Sequence, residues 1–235
     1  MADRKTSNPK PKVFKPLSGF MMTLVGARRS GKSTLIKKLL KGDLKDRFIE
    51  ENIFIICPTI DLNDDFADFK FARKFAKPEP ELIYDIMAEQ KFNLKNYGKA
   101  RTPEVLIIFD DCADNNILRF GSVMDTLAVR GRHFKINVMV SSQRLRAVSA
   151  TARDNSDYFV FFSPYNMLEL EKFIEEYVLK QDRRETMKKM EQVFEKPYEF
   201  IFVDNSERRP TKKIKIGING KLLRDFVLQN QEKKE

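Results

Sequence analysis

Eight consecutive residues, Gly26-Ala27-Arg28-Arg29-Ser30-Gly31-Lys32-Ser33, follow the pattern G-x-x-x-x-G-K-[ST], and each fixed position has a mechanical task at a phosphate chain. Gly26 and Gly31 let the backbone curl with its N–H groups turned inward. The helix that must follow adds its positive N-terminal end. Lys32 reaches the β- and γ-phosphates as a point charge, and the Ser33 hydroxyl is an oxygen ligand for Mg²⁺. The segment from Gly26 to Thr34 is the expected cradle of a nucleoside triphosphate.

A magnesium ion needs a second protein oxygen. The apolar run Val105 to Phe109 ends in Asp110-Asp111, which places a carboxylate at the end of a predicted strand, where ligands of parallel sheets collect. Asp110 is the expected metal anchor. Asp111 stands where many hydrolytic relatives carry a Glu that orients or deprotonates water, and it is one methylene shorter. An exposed turn carboxylate is the plainer reading of the pair. Guanine recognition would call for Asn-Lys-x-Asp, and Leu179-Lys180-Gln181-Asp182 lacks the Asn, so the expected nucleotide is ATP.

These side chains must be delivered by strand ends and helix starts. Phe20 to Val25 is continuously apolar or β-branched, and Ser33 to Leu40 after the glycine loop has helical character, so the motif stands in the strand–loop–helix context it requires. Asn52 to Cys57 predicts a second strand, stopped by Pro58, and Pro80 to Gln90 a helix. After the Val105 strand come a helix over Ile117 to Val129, a strand over Ile136 to Val140 ending in Ser141-Ser142-Gln143-Arg144, and a strand over Tyr158 to Phe162. Buried strands alternating with helices predict an α/β fold with a mostly parallel sheet covered on both faces. Pro164 to Phe194 is mostly helical, Tyr198 to Val203 a short strand, and Arg208 to Glu235 a charged end expected to fray. Three regions are expected: a basic arm over 1–17 with Pro9, Pro11 and Pro16, a core over 18–163, and helices, strand and tail over 164–235.

A chain of 235 residues suits one large domain. Its formal net charge of +10 favours a polyanionic partner such as nucleic acid. No apolar run is long enough to cross a bilayer, and Met1 to Lys15 lacks the apolar core of a secretory signal, so an intracellular, non-secreted protein is expected. Cys57 and Cys112 have no metal or redox spacing and read as small buried hydrophobes. Asp61 to Phe66 imitates a calcium loop but has Phe66 at the Gly position and Ala72 at the Glu position, so it is read as an acidic turn.

At Arg130-Gly131-Arg132, then Ile136 to Arg144, the chain resembles the FtsK/HerA superfamily of ring-forming DNA translocases. With Asp110-Asp111, Gly131-Arg132-His133 and Arg153-Asp154-Asn155-Ser156-Asp157, it looks most like the genome-packaging ATPases of poxviruses, giant viruses and virophages. The resemblance covers roughly Leu17 to Ser163. It implies a RecA-like P-loop ATPase with an extra strand between the phosphate-loop and acidic strands. Gln143, at the tip of that strand, would sense the γ-phosphate. Arg132 would act in trans as an arginine finger, which requires a homo-oligomeric ring. It further implies double-stranded DNA as partner, capsid or portal vertex proteins as contacts, and a place in the host cytoplasm, the viral factory or the virion.

Each role has a duller rival: Gln143 as a loop cap, Arg132 as a surface cation, His133 as structural. Arg144, Arg146 and Arg153 are candidates for DNA phosphates or for the finger itself. Leu145 stands where the family often has Pro after Gln-Arg, which puts the local loop shape in question. Two rival functions use the same cradle: a nucleotide or small-molecule kinase with Pro164 to Phe194 as its lid, and a nucleotide-gated DNA-binding protein without turnover.

Overall fold

The computed structural model describes residues 14–62, 64–112, 116–119, 121–178, 183–209, 213–218 and 221–225. In chain order the elements are β1 (Met21–Val25), α1 (Lys32–Lys41), β2 (Ile53–Ile56), β3 (Arg73–Phe75), α2 (Pro80–Arg101), β4 (Val105–Asp110), α3 (Val123–Arg130) and β5 (Ile136–Ser142). Then follow α4 (Ala150–Asp154), β6 (Tyr158–Phe162), α5 (Met167–Tyr177), α6 (Arg183–Phe194), β7 (Glu199–Asp204), β8 (Ile214–Ile218) and β9 (Lys221–Asp225). Every residue of β1, β2, β4, β5 and β6 is buried, which only a sheet covered on both faces allows.

The strands form one sheet in the order β3-β2-β4-β5-β1-β6-β7-β8-β9. The six from β3 to β6 are mutually parallel, while β7, β8 and β9 join antiparallel at one side. Alternation along the strands sorts their side chains between the two faces. Met22, Leu24, Leu106, Ile108 and Met139 pack with Leu35, Ile36, Leu39 and Leu40 of α1. Met21, Ile107, Phe109, Val138 and Val140 pack with Ile83 and Ile86 of α2 and Met124 and Leu127 of α3. Val25, Phe159, Phe161, Ile201 and Val203 bury Phe173 and Ile174 of α5 and Met190 and Val193 of α6. The predicted RecA-like α/β architecture is thus present, with β5 between the phosphate-loop strand β1 and the acidic strand β4.

The chain departs from the sequence reading at its two ends. Residues 1–13 of the expected basic arm, like part of the charged end, lie outside the described residues. Residue 14 is not an extended arm: Phe14 is buried, its ring 4.9 Å from Tyr158 and 5.8 Å from Phe202 by centroids, and its N–H donates to Asp43 Oδ2 at 2.8 Å. Within the charged end, Ile214, Ile216 and Gly217 are buried in β8; Ile214 and Ile216 pack on the α5–α6 side and add a strand where fraying was expected. The predicted helix at Pro80 to Gln90 continues to Arg101, with a kink at Gly98, whose φ is 74°. The expected helix over 117–129 is a short 3-10 turn at Asn116–Leu118 followed by α3.

Candidate functional site

Because β1, β4, β5 and β6 run parallel, their C-terminal ends open on one edge, and the predicted phosphate residues collect there. The loop after β1 is pinned on both sides: Gly26 N–H donates to Ser142 O of β5 at 3.2 Å, and Ala27 N–H to Ser163 O after β6 at 2.9 Å. Gly26 has no room for a side chain, since a Cβ would lie 2.5 Å from Phe162 Cβ. Gly31 takes φ 110° and Arg29 φ 62°, which curls the loop. Gly31 is also the N-cap of α1, which has no side-chain cap and no acid in its first turn. The first N–H groups and the positive end of that helix therefore remain directed at an anion. Ser30 Oγ is buried in the same loop without a hydrogen-bond partner.

Lys32 is buried, and its Nζ donates to Gly26 O at 2.8 Å and Ala27 O at 2.9 Å. Burial pulls its pKa below the usual lysine value, against the opposing pull of Asp111 and Asp110. Ser33 Oγ donates to Asp110 Oδ2 at 2.9 Å. Burial pushes the Asp110 carboxyl above the usual range, against the nearby Ser141 and Ser33 hydroxyls. Its Oδ1 and the Ser141 Oγ opposite it are buried without a hydrogen bond of normal geometry. A hydroxyl and a carboxylate in contact, with one anionic oxygen unmatched, fit a hard divalent cation such as Mg²⁺.

Asp111 is exposed and sits in the left-handed region at φ 54°, an uncommon conformation that lifts its carboxylate off the strand axis. Gln143, just past the tip of β5, donates from Nε2 to Asp111 Oδ1 at 2.8 Å and Oδ2 at 3.1 Å. Lys32, Ser33, Asp110, Asp111 and Gln143 thus form one cluster across β1, β4 and β5.

Arg132 is not part of it. It lies in a 3-10 turn at Gly131–Phe134, before β5, at the opposite edge of the sheet, and its side chain is exposed. Seven residues of β5 at about 3.3 Å each separate the two edges by roughly 20 Å. Gly19 packs on the Arg132 backbone so closely that a Cβ there would fall 2.5 Å from Arg132 Cα. His133, beside it, is likewise exposed.

Beyond the Asp111–Gln143 pair, an open groove of about 840 Å³ is lined by Arg119, Arg144, Arg146 and Arg153. Arg153 is the most committed of these: it pairs with both Glu176 oxygens at 2.9 Å and donates to Leu145 O and Val148 O. Leu145 itself is buried, and its N–H donates to Glu169 Oε2 at 2.7 Å. Proline could not make that bond. Two contributions went unread in the sequence: the Ser142 carbonyl that holds the loop, and Ser141 facing Asp110. Both arise from strand register, which residue spacing does not reveal.

Fold and site together define a RecA-like P-loop ATPase domain. The chain belongs to the family described as Poxvirus A32 protein, which matches residues 15–209, and the resemblance to a poxvirus family is borne out. It is 25% identical over 210 residues to the uncharacterized protein 075L of Invertebrate iridescent virus 6, covering 87% of this chain and 78% of that one. Among solved structures, it is similar to the DNA-packaging ATPase B204 of Sulfolobus Turreted Icosahedral Virus, with TM-score 0.59, 19% identity, and 84% and 96% of the two chains covered. The genome packaging NTPase B204 of Sulfolobus turreted icosahedral virus 2, in complex with AMPPCP, gives TM-score 0.61 at 17% identity, with 85% and 98% covered. At such identities these structures demonstrate the shared fold. Among the described residues, no helix is long and apolar enough to cross a membrane.

Proposed function

We propose that this chain is an ATP-driven double-stranded DNA translocase that packages a viral genome. The observation that carries the reading is the contact of Ser33 with Asp110 beside Lys32, with Asp111 and Gln143 over the same sheet edge. Membership of the poxvirus A32 family and the B204 fold support packaging as the task.

The chemistry follows from the positions of the groups. The curled amides of residues 26–33 and the α1 N-terminus grip the triphosphate, and Lys32 turns from its own loop carbonyls to the β- and γ-oxygens. Ser33 and Asp110 would hold Mg²⁺, which when bound neutralises charge on those oxygens. Asp111 takes a proton from the attacking water, and Gln143 fixes the orientation of the Asp111 carboxylate. Arg132 stands too far from its own chain's cluster to contribute in cis. As a finger it would serve a neighbouring subunit, which argues for a homo-oligomeric ring. The net charge of +10 and the arginine-lined groove next to Gln143 suit contact with a phosphate backbone read by charge rather than by base.

A kinase would use the helices after Pro164 as a mobile lid. Here α5 and α6 are packed on β6, β7 and β8 by Phe173, Ile174, Met190 and Val193, which speaks against that use. The test is ATP turnover with and without double-stranded DNA, measured alongside oligomer mass with and without nucleotide. DNA-stimulated turnover in a ring is expected. Turnover indifferent to DNA in a monomer would overturn the proposal.

A further inference from the structure

The phosphate site is flanked on its other side by a patch of aromatic rings that the reaction chemistry does not use. A cleft beside Gly31 is lined by Thr34 and Lys38 of α1, Phe162 of β6, and Tyr198 and Phe200 at and after the turn into β7. The sheet order gives this cleft a direction. Asp110, Asp111 and Gln143, the γ-phosphate end, lie over β4 and β5, so a triphosphate held by the β1 loop points its nucleoside the other way, toward β6 and β7.

The backbone at Tyr198 carries a second signal. Lys196-Pro197-Tyr198-Glu199 is a tight turn closed by Glu199 N–H donating to Lys196 O at 3.3 Å. Proline at the second place and a positive φ at the third are the features of a type II turn, whose third place favours glycine. This chain holds a tyrosine there at φ 63°. A bulky residue in the left-handed region is strained, and such strain collects at ligand sites. The turn aims the ring at the phosphate loop: a Cβ on Gly31 would lie 3.3 Å from Tyr198 Cδ1 and 3.5 Å from Phe162 Cε1. Yet the Tyr198 residue is 57% exposed, so core packing does not account for its position.

We infer that Tyr198 is a stacking platform for the nucleobase of the bound triphosphate, with Phe162 and Phe200 as its apolar surround. The inference rests on residues 26–33 binding that triphosphate. It assigns recognition of the base to its flat face, which any purine presents, and explains why a tyrosine occupies a turn position where glycine would relieve the backbone.

The experiment compares ATP with inorganic tripolyphosphate, which lacks base and ribose, by calorimetry in magnesium on the full chain. Tyr198→Gly suits the turn and should leave the melting temperature of the free protein no lower. It should weaken ATP binding about ten- to a hundredfold and leave tripolyphosphate affinity unchanged, while Tyr198→Phe restores ATP binding. Unchanged ATP affinity in Tyr198→Gly, or equal weakening of both ligands, overturns the platform. If the unmodified chain binds tripolyphosphate as tightly as ATP, the platform falls and the phosphate loop stands. If it binds neither, the phosphate-loop reading falls with it.

Discussion

Gly26 offers the sharpest test of how the sheet positions the phosphate loop. A methyl group there would sit 2.5 Å from Phe162 Cβ, 2.9 Å from Ser30 Oγ and 3.3 Å from Phe162 Cα. Ordinary carbon contacts lie at about 3.5–4.0 Å, so Gly26→Ala must push the loop and β6 apart by roughly 1 Å. The loop cannot yield freely, because Gly26 and Ala27 are hydrogen-bonded to Ser142 and Ser163 on either side. Overpacking of this kind costs about 1–3 kcal/mol, which at about 2–4 °C per kcal/mol lowers the melting temperature by about 2–12 °C. A displacement of about 1 Å at a reacting phosphate costs about 100-fold in turnover. Both are measurable, by thermal unfolding and by steady-state phosphate release. Gly98→Ala is the control: with φ 74° and ψ 167° and nothing within 4 Å of its Cβ, it should lose about 1–3 kcal/mol to backbone strain and keep its turnover. A Gly26→Ala protein with turnover within about threefold of the unmodified chain would refute the reasoning.

Asp110→Asn keeps the volume and an acceptor for Ser33 but removes the anionic charge, so turnover should drop by about 100-fold. Thermal protection by magnesium and ATP should shrink in parallel, and undiminished protection would count against the metal assignment. Arg132→Ala should lose turnover while binding ATP normally, and mixing it with Lys32→Ala subunits should restore part of the rate; no rescue at any ratio would exclude action in trans. Glu104 answers to pH. Burial raises its pKa, but hydrogen bonds from Asn137, Ser18 and Arg47 and the Arg47 charge outweigh burial and hold it below the usual 4.5. Its stabilisation is therefore complete above that ordinary value and fades as pH falls through the lower folded-state value. Melting temperatures of the parent should decline on acidification through that window, and those of Glu104→Gln should start lower and decline less. Parallel profiles would show that the network is not what titrates.

The legible parts of this protein were those written in consecutive residues. The runs at β1, β4, β5 and β6 are apolar throughout because both sheet faces are covered, and Gly26 to Ser33 states its own chemistry. The place of β5 between β1 and β4 came from the resemblance, since spacing along a chain does not determine strand order. The Gln143–Asp111 contact and the Ser142 carbonyl on Gly26 depend on which strand tips are neighbours, and so could not be derived locally. β3 escaped notice because it has three residues, two of them exposed. β8 was obscured by its charged surroundings, although its alternating isoleucines carried the strand period. Tyr198 gave only a faint signal, a proline followed by a residue in a place where turns favour glycine.

The topology also constrains how two nucleotide sites could communicate. β5 carries Gln143 just past one end and Arg132 four residues before the other, and all seven of its residues are buried between hydrogen-bonded neighbours. A strand held on both edges and both faces moves as a body, so it cannot store two arrangements within itself. If Gln143 responds to its own subunit's nucleotide and Arg132 to the neighbour's, the change of state must lie at the strand ends. The candidates are the Asp111–Gln143 contact at one end, where Asp111 is exposed and left-handed, and the Gly19–Arg132 contact at the other, where the backbones already touch. The first can break by a side-chain rotation. The second has no slack, so as a finger Arg132 would follow the rigid-body position of its sheet, and coupling between subunits would arise from rotation of whole domains rather than from a path of flexing residues.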